Sequence, residues 1–114
     1  MKLLIVDDSA EMRRLMRSLL EELAEEIFEC SDGSQAFAAY SLHRPDWVLM
    51  DVEMPQMDGI TASRAVKGAF PAARIVIVTK YDDEEMREEA EKAGACGYML
   101  KENLPALRNF LAAE

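Results

Sequence analysis

Short apolar runs rich in β-branched residues recur five times along the chain, with segments of helical character between them. Regular alternation of this kind is typical of parallel strands joined by helical crossovers and not of β-hairpins. We therefore predict an α/β fold. Its strands should be Lys2–Val6, Ile27–Cys30, Trp47–Met50, Arg74–Val78 and Cys96–Leu100.

Five helices are predicted to separate and follow these strands. The first is the clearest, because apolar residues recur at helical spacing from Met12 to Leu23 and so define one face for the core. The opposite face, expected in solvent, carries Arg13, Arg14 and Arg17. The other helices are expected at Ser34–Leu42, from Gly59 to the loop 68–73, from the capping residues Asp82 and Asp83 to Gly94, and within residues 102–114.

The length and charge of the chain exclude several classes of protein. With 114 residues it can form one core but not two ordinary ones, so residues 1–114 are predicted to be a single domain. The 22 acidic and 13 basic residues give a net charge of −9, with no basic cluster for nucleic acid. No apolar stretch approaches the roughly 20 residues that span a bilayer, and no signal-peptide pattern is present. We expect a soluble, cytoplasmic protein that binds neither nucleic acid nor a membrane.

Polar side chains lie where the apolar runs end. Asp7 and Asp8 follow the first run, Asp51 the third, Thr79 the fourth and Lys101 the fifth. Right-handed crossovers place the carboxyl ends of parallel strands at one edge of the sheet. Open α/β sheets bind their ligands at this edge. The sequence therefore predicts a functional site there.

The aspartates at this edge need a compensating charge. At about 4 Å, two like charges cost roughly 4 kcal/mol at an effective dielectric constant near 20. The candidate ligands are few and all oxygen, with no histidine or cysteine nearby, and this favours Mg²⁺. Together with the ammonium of Lys101 and the hydroxyl of Thr79, the metal would form a pocket for a phosphoryl group carried on a carboxylate.

Four motifs occur in order along the chain. They are IVDDS after the first strand, LMDVEMPQMDGI after the third, IVIVTKYDD at the fourth and GACGYMLK at the fifth. Together they resemble the response-regulator receiver domain of two-component signalling, over essentially the whole chain. The resemblance implies a chemotaxis-type, flavodoxin-like (βα)5 fold, a doubly wound five-stranded parallel sheet in the order 2-1-3-4-5. It also implies a signalling module that is not an enzyme, beyond catalysing its own phosphorylation and slow dephosphorylation.

The resemblance makes Asp51 the phosphoacceptor. Its phosphoryl group would come from a phosphohistidine on a sensor histidine kinase or phosphotransfer protein. Asp8 and Asp51 would bind Mg²⁺ directly, together with the backbone carbonyl of Glu53. Asp7 would act mostly through a bound water. Lys101 would pair with Asp51 or with its phosphoryl oxygens.

The resemblance also assigns a switch to Thr79 and Tyr98. Thr79 would turn inward to hydrogen-bond the phosphoryl group, and Tyr98 would follow it from an exposed to a buried rotamer. A phosphoryl group adds a charge of about −1.5 to −2, which is enough to bias a two-state loop. The surface expected to change comprises the fourth helix, the fifth strand and the fifth helix. The output partner is not specified, and a homodimer formed on phosphorylation is one further expectation.

Two residues depart from the usual pattern of the family. Receivers commonly carry a proline with a cis peptide bond after the lysine, whereas Glu102 follows Lys101 here. A non-proline cis bond costs about 2.5–4 kcal/mol, so we expect a trans bond. The residue after the switch threonine is usually small, whereas here it is Lys80. Its ammonium would stabilise the phosphoryl group, screen it from water or point outward, and the lifetime of the phosphorylated state depends on which.

Two other functions stay open from the residues themselves. Glu53 lies two residues after Asp51, where metal-dependent aspartyl-phosphate hydrolases place a general acid, although those enzymes normally have an aspartate there and a cap domain or loop. A flavodoxin-like cofactor-binding module would use a hydroxyl- or glycine-rich loop after the first strand, whereas this loop carries Asp7 and Asp8. Turnover of a small phosphate ester would favour the first function, and a yellow preparation the second.

Overall fold

A parallel sheet of five strands forms the centre of the molecule. The computed structural model describes residues 1–113. Its strands are β1 (Lys2–Val6), β2 (Glu26–Cys30), β3 (Trp47–Met50), β4 (Ile75–Thr79) and β5 (Gly97–Leu100). All neighbouring strands are parallel, in the order β2-β1-β3-β4-β5. The predicted fold class and strand order are confirmed.

Helices cover both faces of this sheet. Within residues 1–113 they are α1 (Ala10–Leu20), α2 (Ala36–His43), α3 (Gly59–Ala69), α4 (Glu84–Lys92) and α5 (Leu104–Ala112). α1 and α5 pack on one face of the sheet, and α2, α3 and α4 pack on the other. Short 3₁₀ turns precede α2 and α5, at Gly33–Gln35 and Lys101–Asn103. In this part of the chain, none of the helices combines the length and apolar character needed to cross a membrane.

Alternate residues of the central strands enter the two halves of the core. In β1, Leu3 and Ile5 pack with α1 and α5, whereas Leu4 and Val6 pack with the helices of the other face. All four side chains are fully buried, because helices cover a parallel sheet on both sides. Burying a side chain of this size stabilises the fold by about 1.5–3 kcal/mol. The core therefore fixes where each strand ends, and with it the residues that follow.

The strand boundaries differ slightly from those predicted. β1 and β3 have the predicted bounds, whereas β2 begins one residue earlier than predicted and β5 one residue later. β4 is shifted by one residue, so Thr79 is the last residue of the strand and not the first residue after it. Its backbone is therefore held by the sheet.

Four predictions about the helices were wrong in detail. α1 ends at Leu20, before Leu23, and Leu15 of its predicted core face is 53% exposed. α2 covers Ala36–His43 and not Ser34–Leu42, because residues 33–35 form a 3₁₀ turn. α3 does not stop at Gly68, because a single glycine costs a helix only about 1 kcal/mol and the helix continues to Ala69. The arginines of α1 do not all point to solvent. Arg13 and Arg17 both form ion pairs with Glu29 of β2, at 2.9 and 2.7 Å, and so join the helix to the edge of the sheet.

Candidate functional site

Three aspartates meet at the carboxyl edge of the sheet, as predicted. Val6 of β1 and Met50 of β3 are paired in the sheet, so the residues after them, Asp7 and Asp51, leave it side by side. The N–H of Asp51 donates to the carbonyl of Val6 at 2.9 Å, which extends the ladder by one bond. One carboxylate oxygen from each of Asp7, Asp8 and Asp51 lies within 4.8 Å of the other two.

The cluster extends from the core to the surface. Asp7 is fully buried and Asp51 is 6% exposed, whereas Asp8 is exposed to solvent. The turn that carries Asp7 and Asp8 is fixed by local hydrogen bonds. Oδ1 of Asp7 accepts the N–H of Ser9 at 2.8 Å, and the carbonyl of Asp7 accepts Nη1 of Arg13 at 2.7 Å. The cluster is therefore rigid at its base and reachable by water through Asp8.

Lys101 contributes a cation to this cluster from the end of β5. Its Nζ lies 2.9 Å from Oδ2 of Asp7 and 3.2 Å from Oδ1 of Asp51. Burial alone would lower the pKa of Lys101, but the hydrogen bond with Asp7 and the charge of Asp51 raise it overall. The peptide bond to Glu102 is trans, as expected, since residues 1–113 contain no cis bond.

Asp51 is the carboxylate whose charge is least well compensated. Its burial and the nearby charge of Asp7 raise its pKa from 3.8 to about 6, in spite of the opposing effect of Lys101. The main physical cause is the loss of hydration on burial, and repulsion by the charge of Asp7 adds to it. A further cation at this site would stabilise the ionised form of Asp51.

A cavity of about 300 Å³ opens beside the cluster. Its lining includes Asp8, Asp51, Glu53, Lys80, Tyr81 and Lys101. Since a water molecule occupies about 30 Å³ in the liquid, the cavity has room for a small tetrahedral anion together with a hydrated ion. The predicted ligand Glu53 lies at this cavity, as do the phosphoacceptor candidate and the lysine.

The donor set fits a hard divalent cation. The three clustered side chains offer carboxylate oxygens, which magnesium and calcium prefer to nitrogen or sulfur ligands. The site is open on the side of Asp8, where water can complete the coordination shell. The charge of Asp7, which together with burial raises the pKa of Asp51, is charge that a bound cation would offset.

The two predicted switch residues both contact the backbone of one residue, Tyr81. Thr79 is 1% exposed, and its Oγ1 accepts the N–H of Tyr81 at 3.3 Å. The hydroxyl of Tyr98 donates to the carbonyl of Tyr81 at 2.7 Å. The ring of Tyr98 is half-buried, with the guanidinium of Arg87 4.3 Å from its centroid, and burial raises its pKa. In the loop after β4, Thr79 therefore binds the N–H of Tyr81 and Tyr98 binds its carbonyl.

Tyr81 was missed by sequence reasoning. The interaction of its hydroxyl with the carboxylate of Glu53 is the main reason that its pKa is raised. The ammonium of Lys80 lies 5.4 Å from the centre of the Tyr81 ring. Tyr81 therefore connects the loops after β3 and β4 across the cavity. Its position two residues after Thr79 was the available signal, but a tyrosine at the end of a strand is too common to indicate such a role.

Comparisons with known proteins agree with this architecture. Residues 3–112 match the model of the response regulator receiver domain family. The chain is 42% identical over 100 residues to the chemotaxis protein CheY of Halobacterium salinarum, covering 88% of this chain and 83% of that protein. It is 36% identical over 115 residues to the oxygen regulatory protein NreC of Staphylococcus haemolyticus, covering 98% of this chain but 52% of NreC.

Solved structures lead to the same family. The BeF3-activated N-terminal receiver domain of Klebsiella pneumoniae RstA is 28% identical and superposes with a TM-score of 0.87, covering 97% of this chain and 98% of that one. The chain belongs to the response regulator receiver domain family and is a receiver domain of two-component signal transduction. The hydrolase and cofactor-binding alternatives are not favoured by these relatives.

Proposed function

We propose that residues 1–114 form one cytoplasmic receiver domain, in which Asp51 accepts a phosphoryl group from a histidine kinase or phosphotransfer protein. The observation that carries this proposal is the environment of the Asp51 carboxylate. It lies within 4.8 Å of the other two clustered aspartates, 3.2 Å from the Lys101 ammonium and at the wall of a cavity of about 300 Å³. This is an acidic site with a nucleophile, a cation and space for an anion.

The transfer step needs an ionised Asp51. One carboxylate oxygen attacks the phosphorus of the donor phosphohistidine and forms the new P–O bond. The P–N bond breaks, and its electron pair returns to the imidazole, which leaves as a neutral ring because its other nitrogen carries a proton. The product is an acyl phosphate on Asp51. The raised pKa of about 6 still leaves this carboxylate largely ionised at neutral pH.

The proposed metal ligands are the carboxylates of Asp8 and Asp51 and the backbone carbonyl of Glu53, with Asp7 acting through water. When bound, Mg²⁺ would neutralise charge that develops on the transferring phosphoryl oxygens. The chain contributes the arrangement of the ligands. Asp7 is held by Ser9 and is fully buried, so it contributes fixed negative charge behind the ligands that face the cavity.

Lys101 has a separate proposed role. Its ammonium is held between two carboxylates before transfer. When Asp51 is phosphorylated, the carboxylate oxygen paired with Lys101 loses its charge. The flexible lysine side chain then lets the ammonium move to a negatively charged phosphoryl oxygen. Charge-assisted bonds of this type are about twice as strong as neutral ones.

The proposed switch uses contacts already present around Tyr81. Thr79 would donate its hydroxyl proton to a phosphoryl oxygen, and as the side chain turns inward its Oγ1 would move away from the N–H of Tyr81 that it now accepts. This would shift the loop whose carbonyl is bonded by Tyr98. We propose that the resulting change spreads to α4, β5 and α5, which would control an unidentified output partner or a homodimer.

Phosphorylation by a small donor tests the central claim. The protein is incubated with Mg²⁺ and acetyl phosphate, and tandem mass spectrometry locates the added group. Asp51→Asn removes the nucleophile. Asp46→Asn is a matched control, because Asp46 is an exposed aspartate at the opposite edge that accepts the N–H of Lys2 at 2.6 Å.

The expected result is a magnesium-dependent phosphoryl group on Asp51 in the wild-type protein and in the control variant, and none in Asp51→Asn. A titration with Mg²⁺ followed by amide NMR shifts should move residues of the cluster first. Phosphate on another side chain, or labelling that persists after chelation, would refute the proposal.

A further inference from the structure

The turn between β2 and α2 carries a buried carboxylate that lies outside the metal cluster. Asp32 is 7% exposed. Its Oδ2 accepts the N–H of Ser34 at 2.8 Å, and its Oδ1 accepts the N–H of Gln56 at 3.0 Å. One side chain therefore joins two loops whose bonded residues are 24 positions apart.

The next residue brings the same loops into direct contact. Gly33 is buried, and a Cβ at this position would collide with the carbonyl oxygen of Met57. Because glycine has no Cβ, it permits this close approach of two backbones. The β2–α2 turn is thus packed against the β3–α3 loop as well as hydrogen-bonded to it.

The loop held in this way carries the proposed phosphorylation site. It runs from Asp51 to Asp58, which caps α3, and it includes Glu53. Its far end is closed by the N–H of Gly59, which donates to the carbonyl of Val52 at 2.8 Å. The hydrogen bond to Asp32 lies between these two ends, at Gln56, beside the close approach of Gly33 to Met57. Without this bond, the middle of the loop would lose its side-chain anchor.

Helix capping does not account for all the contacts of Asp32. An aspartate before a helical turn commonly accepts one backbone N–H, and Oδ2 does so with Ser34. The other oxygen is directed to a distant loop. The same turn has another local bond, from the N–H of Ser31 to Oε1 of Gln35 at 2.9 Å. Oδ1 of Asp32 is therefore free of the helix cap and binds the β3–α3 loop.

We propose that Asp32 is a positioning residue for phosphorylation: it fixes the β3–α3 loop so that Asp51 and the backbone of Glu53 face the metal and the phosphoryl group together. This inference rests on the proposed function of Asp51. Groups that hold metal ligands from outside typically contribute 10–100-fold to affinity or activity. The geometry assigns such a role to Asp32 because its bond reaches the middle of the loop that carries Asp51 and Glu53.

The ionisation of Asp32 is consistent with this role. The backbone N–H of Gln56, followed by the bonds with Ser34, lowers the pKa of Asp32. The carboxylate is therefore charged at neutral pH, and its bonds to backbone N–H groups are charge-assisted.

Three variants test the proposal. Asp32→Ala removes both sets of bonds, and Asp32→Asn keeps one carbonyl acceptor in the event that the alanine variant does not fold. Gln35→Ala is the matched control, since it removes a side-chain bond in the same turn without touching the β3–α3 loop. Two quantities are measured: the Mg²⁺ dissociation constant by calorimetry, and amide hydrogen exchange at Gln56 in metal-free protein.

The expected result for Asp32→Ala is a Mg²⁺ affinity about tenfold weaker or more, with faster exchange at Gln56. Asp32→Asn should show the same changes to a smaller degree, and Gln35→Ala should match the wild-type protein in both. Wild-type affinity in a folded Asp32 variant would overturn the inference while leaving the proposed function intact. A wild-type protein that binds no Mg²⁺ would overturn both.

Discussion

The ammonium of Lys101 lies 2.9 Å from Oδ2 of Asp7, so the cation that follows the last strand is paired with the carboxylate that follows the first. The same ammonium is 3.2 Å from Asp51. One positive charge thus compensates two buried negative charges. The pairing holds the carboxyl edge of the sheet together and leaves the site short of positive charge.

Removing the cation should destabilise the metal-free protein. Lys101→Met leaves Asp7 and Asp51 buried beside each other, and breaking a buried pair by removing one partner costs about 3–5 kcal/mol. We expect the free energy of unfolding, measured in urea without divalent ions, to fall by about 3 kcal/mol, the lower limit of this range, because Asp51 can take up a proton. Lys92→Met, at the exposed end of α4, is the control. Equal losses in the two variants would contradict this account.

Asp51→Asn should stabilise the metal-free protein, in contrast to Lys101→Met. The pKa of Asp51 is raised from 3.8 to about 6, so between these pH values the folded state binds more protons than the unfolded state. The stability of the wild-type protein must then fall as the pH rises through this window. Above pH 6 the variant should be more stable by about 1–2 kcal/mol, since water screens part of the charge.

The measurement is urea unfolding of both proteins on either side of pH 6, with a chelator present. The advantage of Asp51→Asn should shrink as the pH is lowered, because the wild-type carboxyl then becomes neutral. An advantage that does not change with pH would mean that Asp51 does not titrate in this window.

Much of the fold could be predicted because its strands are buried on both faces. A run such as Leu3–Val6 has no polar residue to place in solvent, so the sequence leaves few alternatives to a central parallel strand. The aspartate cluster followed from the same logic, because paired parallel strands must end together. The register of Val6 with Met50 brings Asp7 to Asp51 without any loop having to be predicted.

The contacts made by loops could not be predicted in this way. Asp32 is hydrogen-bonded to Gln56, and Tyr81 interacts with Glu53. In both cases the partners lie in loops whose conformations depend on the finished fold. The same is true of Arg13, which reads as a solvent-facing helix residue but bonds the carbonyl of Asp7. Helical periodicity predicts the face of the helix on which a residue lies, but not the partner that its long side chain contacts.

Tyr98→Phe should uncouple the β4–α4 loop from β5 while leaving the ring packed. The change removes the 2.7 Å bond to the carbonyl of Tyr81, and a bond of this kind contributes about 0.5–1.5 kcal/mol to stability. We expect a small loss of stability and normal phosphorylation of Asp51. Amide NMR shifts of α4 on adding beryllofluoride and Mg²⁺ should be reduced relative to the wild-type protein. Full-sized shifts in the variant would exclude Tyr98 from the switch.

Tyr81→Phe should shorten the lifetime of phosphorylated Asp51. The hydroxyl of Tyr81 interacts with the carboxylate of Glu53, and both residues line the cavity. Loss of one bond of about 0.5–1.5 kcal/mol should let the two loops separate more often, so that water reaches the acyl phosphate about 2–10-fold faster. The measurement is the first-order loss of phosphate after the donor is removed.

Lys80→Met separates the effect of Tyr81 on the lifetime of phosphorylated Asp51 from the effect of Lys80. It removes the ammonium near the Tyr81 ring but keeps the hydroxyl that interacts with Glu53. If closure of the cavity controls hydrolysis, this variant should retain most of the wild-type lifetime, whereas Tyr81→Phe should not. If the ammonium stabilises the phosphoryl group directly, the order of the two variants should be reversed. Identical lifetimes in all three proteins would show that neither side chain limits the access of water to Asp51.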